Sequence, residues 1–281
     1  KSVGGTKMHN EFPDRAINVG IAEQNMALMA AGLASRGAKV FAATYATFAS
    51  LRICEQVRTF IAYPNLDVKI VAGLGGLSGG IEGVTHQGIE DIGIMRSIAN
   101  MTVVCAADAA STEVITRAIA EYDGPVYLRL GRYASQKVFT SDYSFRIGKA
   151  NILREGGEAV LVGYGSTIGR CLNAAELLEA DGIRCSVVET PCLKPFDNAA
   201  IAKLAKNAKL VVTAEDHNII GGVGSAVMEA LNESGVNVPV VRMGLQDRYA
   251  QSGDCEELLD YYGMSPENIA ETVRTRIAAA K

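Results

Sequence analysis

A glutamate, a histidine and two aromatic rings carry most of the chemistry this sequence can offer. Glu23 stands in the run Val19-Gly20-Ile21-Ala22-Glu23-Gln24-Asn25-Met26. Ala22, Met26, Met29 or Ala30, and Leu33 recur there at helical spacing, which predicts a helix packing one apolar face inward. Glu23 falls in its first turn, where the helix dipole favours a carboxylate, while apolar neighbours disfavour the charge. A carboxylate so balanced suits proton transfer, and is equally an ordinary first-turn charge. Tyr45 and Phe48, in Thr44-Tyr45-Ala46-Thr47-Phe48, suit stacking on a flat heteroaromatic ring, worth ~0.5–1.5 kcal/mol beyond buried area, or a place in a core. Thr85-His86-Gln87 puts an imidazole just after the stretch 73–83, which holds six glycines in eleven residues, too many for a regular element. That stretch lacks the downstream acidic residue of a dinucleotide fingerprint. Its glycines either let backbone approach a ligand or form a pliant loop.

These side chains need a scaffold, and the pattern predicts one of alternating strands and helices. Over 1–150 it reads as a loop at 2–14, a short strand at 16–19, the Glu23 helix, and a strand at 39–43. A helix then runs from 44–48 to about 63, followed by a strand at 67–72, a helix at about 87–97, a strand at 102–105, a helix at 111–121 and a strand at 126–130. A polar connector spans 139–157. Over 156–281 the strands fall at 158–163, 184–188, 210–214 and 238–242 and the helices at 168–179, 225–233 and 265–279, with a turn at 192–196 between Pro191 and Pro195. Strands alternating with helices imply an α/β fold of two domains, each a mostly parallel sheet covered on both faces.

Composition narrows the function classes. The 281 residues are 48% hydrophobic and 21% charged, which supplies two cores and argues against disorder. A net charge of −4 offers no basic footprint for nucleic acid, and no apolar run is long enough to span a membrane. The six cysteines (54, 105, 171, 185, 192, 255) show no C-x-x-C spacing, and with three histidines a zinc site is not expected. Reduced thiols and a cytoplasmic location are the simplest reading. The chain opens at Lys1 without a Met, so its native N-terminus is expected upstream. Gly221-Gly222-Val223-Gly224 before a helix suits either an anion at the helix N-terminus or a tight turn, and the turn is preferred; His217 reads as structural or as a subunit contact.

Ile21–Met26, then Thr44–Phe48, then Gly83-Val84-Thr85-His86-Gln87-Gly88-Ile89-Glu90-Asp91, taken in this order, resemble the pyrimidine-binding half of the transketolases. The likeness continues through the second domain as the transketolase C-terminal domain. In that thiamine-diphosphate family the glutamate of the first motif exchanges a proton with N1′ of the cofactor's aminopyrimidine, which the resemblance assigns to Glu23. It likewise places Tyr45 and Phe48 around that ring and His86 over the thiazolium, against a substrate oxygen. Ser2 and Arg132 match the family's phosphate-contacting serine and arginine. The departures are Leu74 and Glu82, where sugar-phosphate transketolases carry a substrate-facing histidine and aspartate, and one extra residue between Phe48 and Arg58; the resemblance still implies that Glu82 faces the substrate.

The family holds the cofactor's diphosphate through a divalent metal bound by a Gly-Asp-Gly motif. Asp123-Gly124 and Asp181-Gly182 lack the leading glycine. The resemblance therefore implies the C-terminal subunit of a split transketolase, with Mg²⁺ (or Ca²⁺/Mn²⁺) held by an N-terminal partner subunit in an α2β2-like assembly. The implied reaction moves a two-carbon ketol unit between sugars, one of them anionic. A deoxyxylulose-phosphate-synthase-like reaction, a 2-oxo acid dehydrogenase β subunit and a non-catalytic binding subunit remain as alternatives.

Overall fold

A computed structural model describes residues 5–132 and 136–279 of the chain. Apolar, β-branched runs bounded by turn residues form two five-stranded sheets. The first combines β1 (Val40–Tyr45), β2 (Val68–Gly73), β3 (Thr102–Cys105), β4 (Val126–Arg129) and β8 (Cys192–Lys194) in the order β1-β2-β4-β3-β8. All its pairs are parallel except β3 with β8. The second takes β5 (Asn151–Arg154), β6 (Ala159–Gly163), β7 (Cys185–Glu189), β9 (Leu210–Asn218) and β10 (Val240–Leu245) in the order β10-β9-β6-β7-β5, with β5 antiparallel at its edge. Strands β3, β4, β6 and β7 are buried along their whole length, as parallel strands with both faces covered must be.

The covering helices are α1 (Thr6–Glu11), α2 (Glu23–Ala34), α3 (Cys54–Gln56), α4 (Asp91–Ser97) and α5 (Ala109–Glu121), then α6 (Thr167–Ala180), α7 (Asn198–Ala205), α8 (Val223–Glu233), α9 (Cys255–Tyr261) and α10 (Pro266–Ala279). Helix α5 starts two residues before the sequence expectation, because Asp108 and Ser111 form a reciprocal capping box across its first turn. Asp108 also accepts from the Val138 and Phe139 amides at 2.9 and 2.7 Å, which ties down the chain between the two sheets.

Several local expectations are corrected. Residues 6–11 are helical rather than loop, and 16–19 is irregular rather than a strand. The connector contains β5, whose Asn151 Nδ2 donates to the buried Glu189 carboxylate at 2.8 Å. The stretch 192–196 is no mere turn: its first three residues close the edge of the first sheet. Helices α7 and α9 are additional. Helix α2 buries Glu23, Ala27, Ala30, Ala31 and Ala34, while Met29 and Leu33 face outward at 37% and 44% exposure. Alanines let the helix lie close against β1 and β2, and the longer side chains would hold it off.

Candidate active site

The first turn of α2 fixes Glu23. Gly20, at φ +75°, turns the chain into the helix, and Ala22 stands at its N-cap with no side chain to cap it. The Glu23 carboxylate is the acidic group of that turn, and the residue is 8% exposed. Arg52 meets it, Nη1 to Oε2 at 3.5 Å, and is itself half exposed. The same guanidinium lies over the Phe48 ring, 4.8 Å from its centroid, a geometry that adds cation–π attraction.

Arg52 reaches that position because the chain after β1 does not run as an ordinary α-helix. Phe48–Arg52 and Val57–Ala62 wind with five-residue hydrogen bonds, flanking the short α3. Wide turns of this kind are rare and interrupt the regular α-helical winding expected for the segment. The segment buries Ala49, Ile53, Val57 and Ile61. Tyr45, at the end of β1, and Phe48 remain half-buried with ring centroids 6.1 Å apart.

The glycine-rich stretch supplies the fourth side. Contrary to the expectation of no regular element, Gly76–Glu82 forms two 3₁₀ turns broken at Gly80. Gly76 requires its lack of a side chain: at φ +62° a Cβ would lie 2.0 Å from the Asp216 carboxylate. Gly83, at φ +73°, ends the turns and accepts the His86 amide at 2.9 Å. His86 thereby stands edge-on to both rings, 5.6 Å from Tyr45 and 5.5 Å from Phe48. Thr85 Oγ1 lies 2.9 Å from His86 Nδ1, leaving Nε2 as the nitrogen presented toward a ligand. Four side chains from three separate stretches of sequence, Glu23, Tyr45, Phe48 and His86, thus form one half-buried patch.

The remaining expected residues are distributed differently. Arg132 pairs with Glu82, so two residues expected to meet substrate meet each other. Leu74 is buried, 1% exposed and at φ +59°, and presents nothing to a substrate. Ser2 lies outside the described residues. Glu215 rules out an anion at the Gly221–Gly224 turn: its carboxyl accepts the Val223 and Gly224 amides at 2.8 and 3.1 Å and fills the N-terminus of α8. Burial pushes Glu215 up to about 8 against the opposing pull of those donors. His217 is fully buried and structural. The Gly93 amide donates to its Nε2 at 3.3 Å, so Nδ1 carries the proton and donates to the Asn218 carbonyl at 2.5 Å. Burial lowers its proton affinity, and the imidazole stays neutral.

Sequence reasoning missed the buried charge cluster behind this patch. Arg129, 2% exposed, donates from Nε to Asp91 at 2.9 Å, and from Nη1 to Asp216 at 2.8 Å. Its Nη2 donates to the Gly88 carbonyl at 3.1 Å. Burial works against its charge, but Asp216 and Asp91 more than offset that and hold it protonated. Tyr127 also donates to Asp91, at 2.9 Å. The available signal was an arginine in the otherwise apolar strand Val126-Tyr127-Leu128-Arg129, since a buried charge requires partners.

The patch fits an aminopyrimidine. Glu23 keeps accepting capacity, because its one side-chain contact among the described residues is long and comes from a half-exposed arginine. Tyr45 and Phe48 present ring surface beside it. No three His, Cys, Asp or Glu side chains among the described residues come together as metal ligands.

The comparisons with known proteins bear on the family and the fold. The family model for the transketolase pyrimidine-binding domain matches residues 1–137, and that for the transketolase C-terminal domain matches 148–269. A putative transketolase C-terminal section from Methanocaldococcus jannaschii is 43% identical over 265 residues, 94% of this chain and 83% of that protein. A 6-deoxy-6-sulfo-D-fructose transketolase subunit from a Clostridium species is 38% identical over 94% of this chain and 81% of its own length. A solved structure described as a split-gene transketolase, inactive beta4 tetramer, superposes with a TM-score of 0.88 at 40% identity, covering 99% of this chain and 89% of that one. With both family domains matched in order along nearly the whole sequence, the chain belongs to the transketolase family.

Proposed function

We propose that this chain is the C-terminal subunit of a two-polypeptide, thiamine-diphosphate-dependent transketolase acting on an anionic sugar. The observation that carries the reading is the convergence of Glu23, Tyr45, Phe48 and His86 on one patch. Bound thiamine diphosphate supplies the chemistry of holding and passing on a two-carbon ketol unit. Glu23 takes and returns a proton at N1′ of its aminopyrimidine, in a setting where the carboxylate is shielded from water. Tyr45 and Phe48 bind and orient that ring. His86 hydrogen-bonds the substrate oxygen on which charge changes. The partner subunit holds the diphosphate through Mg²⁺, and two copies of each chain assemble as α2β2.

Isothermal titration tests the division of labour. The purified chain with thiamine diphosphate and Mg²⁺ binds weakly and turns over no ketose, and adding the partner polypeptide restores both. Tight binding by this chain alone would sink the split-subunit reading.

Arg132 is the proposed anion contact, together with Ser2. An anionic substrate is supported by the surviving arginine and by the sulfonated sugar in the name of the Clostridium relative. Arg132→Ala raises KM for a phosphorylated or sulfonated sugar by about ten- to a hundredfold, the loss of ~1.5–3 kcal/mol in a charge-assisted contact. The neutral acceptor glycolaldehyde is far less affected. Because Glu82 already pairs with Arg132, Glu82→Gln removes a carboxylate that competes with the anionic sugar and lowers its KM. Equal changes on charged and neutral substrates would show that the pair is structural.

A further inference from the structure

The stretch that carries His86 takes its shape from the second domain. Leu77, in the middle of the 3₁₀ turns, and Ile89 are buried in a cluster otherwise built of second-domain residues, among them Leu245, Ala250, Leu258, Leu259 and Met264. Gln87 Nε2 donates to the Gln251 carbonyl at 3.0 Å, and the Gly253 amide donates to the Gly80 carbonyl at 3.3 Å. A Cβ on Gly83 would lie 2.4 Å from Ser252 Oγ, so the segment 251–253 lies directly against the backbone preceding Thr85 and His86. Behind it, Asp216 of β9 meets both Gly76 and Arg129. Five separate contacts from the second domain thus fix a stretch whose glycines give it little shape of its own.

We propose that the second domain sets the position of His86, with Gln87 and the segment 251–253 as positioning residues for the substrate side of the site. The consequence for catalysis rests on the transketolase reading above. Glu23, Tyr45 and Phe48 are held by α2 and by β1 and the turns after it, and the two rings meet this stretch through the edge of His86, so a shift of the stretch falls first on the substrate side. Misplacing a positioned group by about 1 Å costs up to ~10²-fold.

Two variants test this. Gln87→Met keeps the length of the side chain and removes the Nε2 donations to the Gln251 and Gly80 carbonyls, and Ser252→Val presses on Gly83 from an exposed position. Hydrogen exchange on this chain, read at residues 80–88, rises about tenfold or more in both variants. In the enzyme reconstituted with its partner polypeptide, kcat/KM for the ketose falls about tenfold or more, while thiamine diphosphate affinity and exchange of the cofactor C2 proton stay at their original values. Unchanged exchange at 80–88 overturns the proposal, as does faster exchange with unaltered kcat/KM. Equal losses in cofactor affinity and kcat/KM overturn it too, since they would report general loosening of the fold. The exchange arm needs no turnover, so it decides whether the second domain shapes the stretch even if the transketolase reading fails.

Discussion

Replacing Glu23 by Gln in the reconstituted two-subunit enzyme lowers turnover by about 10²–10⁴-fold, the range for loss of a general acid–base group. The substitution is nearly isosteric, and Glu23 is packed at the start of α2 with 8% of its surface exposed, so assembly and folding are retained. A neutral amide still fills the space but neither takes nor returns the N1′ proton. The loss therefore appears in kcat, and exchange of the cofactor C2 proton, followed by NMR in deuterated water, slows with it. Near-normal C2 exchange in Glu23→Gln would refute the role assigned to this residue. An equal loss in Tyr45→Ala or Phe48→Ala with cofactor saturating would also count against it, since those rings are proposed to bind and orient.

Arg129→Met destabilises the chain by about 3–5 kcal/mol, the cost of leaving buried carboxylates without their cation. Asp91 and Asp216 both lose a charged partner, and the Gly88 carbonyl loses a donor. For a chain of this size the loss corresponds to a fall in Tm on the order of 10 °C, measurable by calorimetry at matched protein concentration. Arg129→Lys recovers only part, because one ammonium cannot span acceptors on three different elements as the planar guanidinium does. Combining Arg129→Met with Asp91→Asn and Asp216→Asn returns a share of the stability by removing the stranded charges. A loss below about 1 kcal/mol for the single substitution would show that the cluster is hydrated and weak.

The α/β alternation was legible in the sequence because periodicity carries it directly, whereas the stretches that converge on the patch were picked out by their resemblance to family motifs. The failures have separate physical causes. Helix α2 is apolar almost all round, so two faces satisfy helical spacing and the pattern cannot say that alanines, rather than Met29 and Leu33, turn inward. Strand β8 is three residues long beside Pro195, and only its pairing with β3, distant in sequence, makes it a strand. The wide turns at 48–52 and 57–62 replace the continuous helix expected there, because the apolar spacing that marks a helix does not distinguish five-residue from four-residue winding. Glu82 and Arg132 were each read as facing a substrate. Fifty positions apart in the chain, they reach each other only once β4 and the glycine-rich stretch are in place.

Strand β8 also bears on how this piece of protein can be inherited. It belongs by sequence to the second half of the chain, yet it supplies the outer rung of the first sheet beyond β3. Severing the chain at the connector would strip that rung and leave the amides and carbonyls of β3 as a bare ladder, the kind of edge on which chains aggregate. A gene break between the two family domains would therefore expose the edge that these three residues cover.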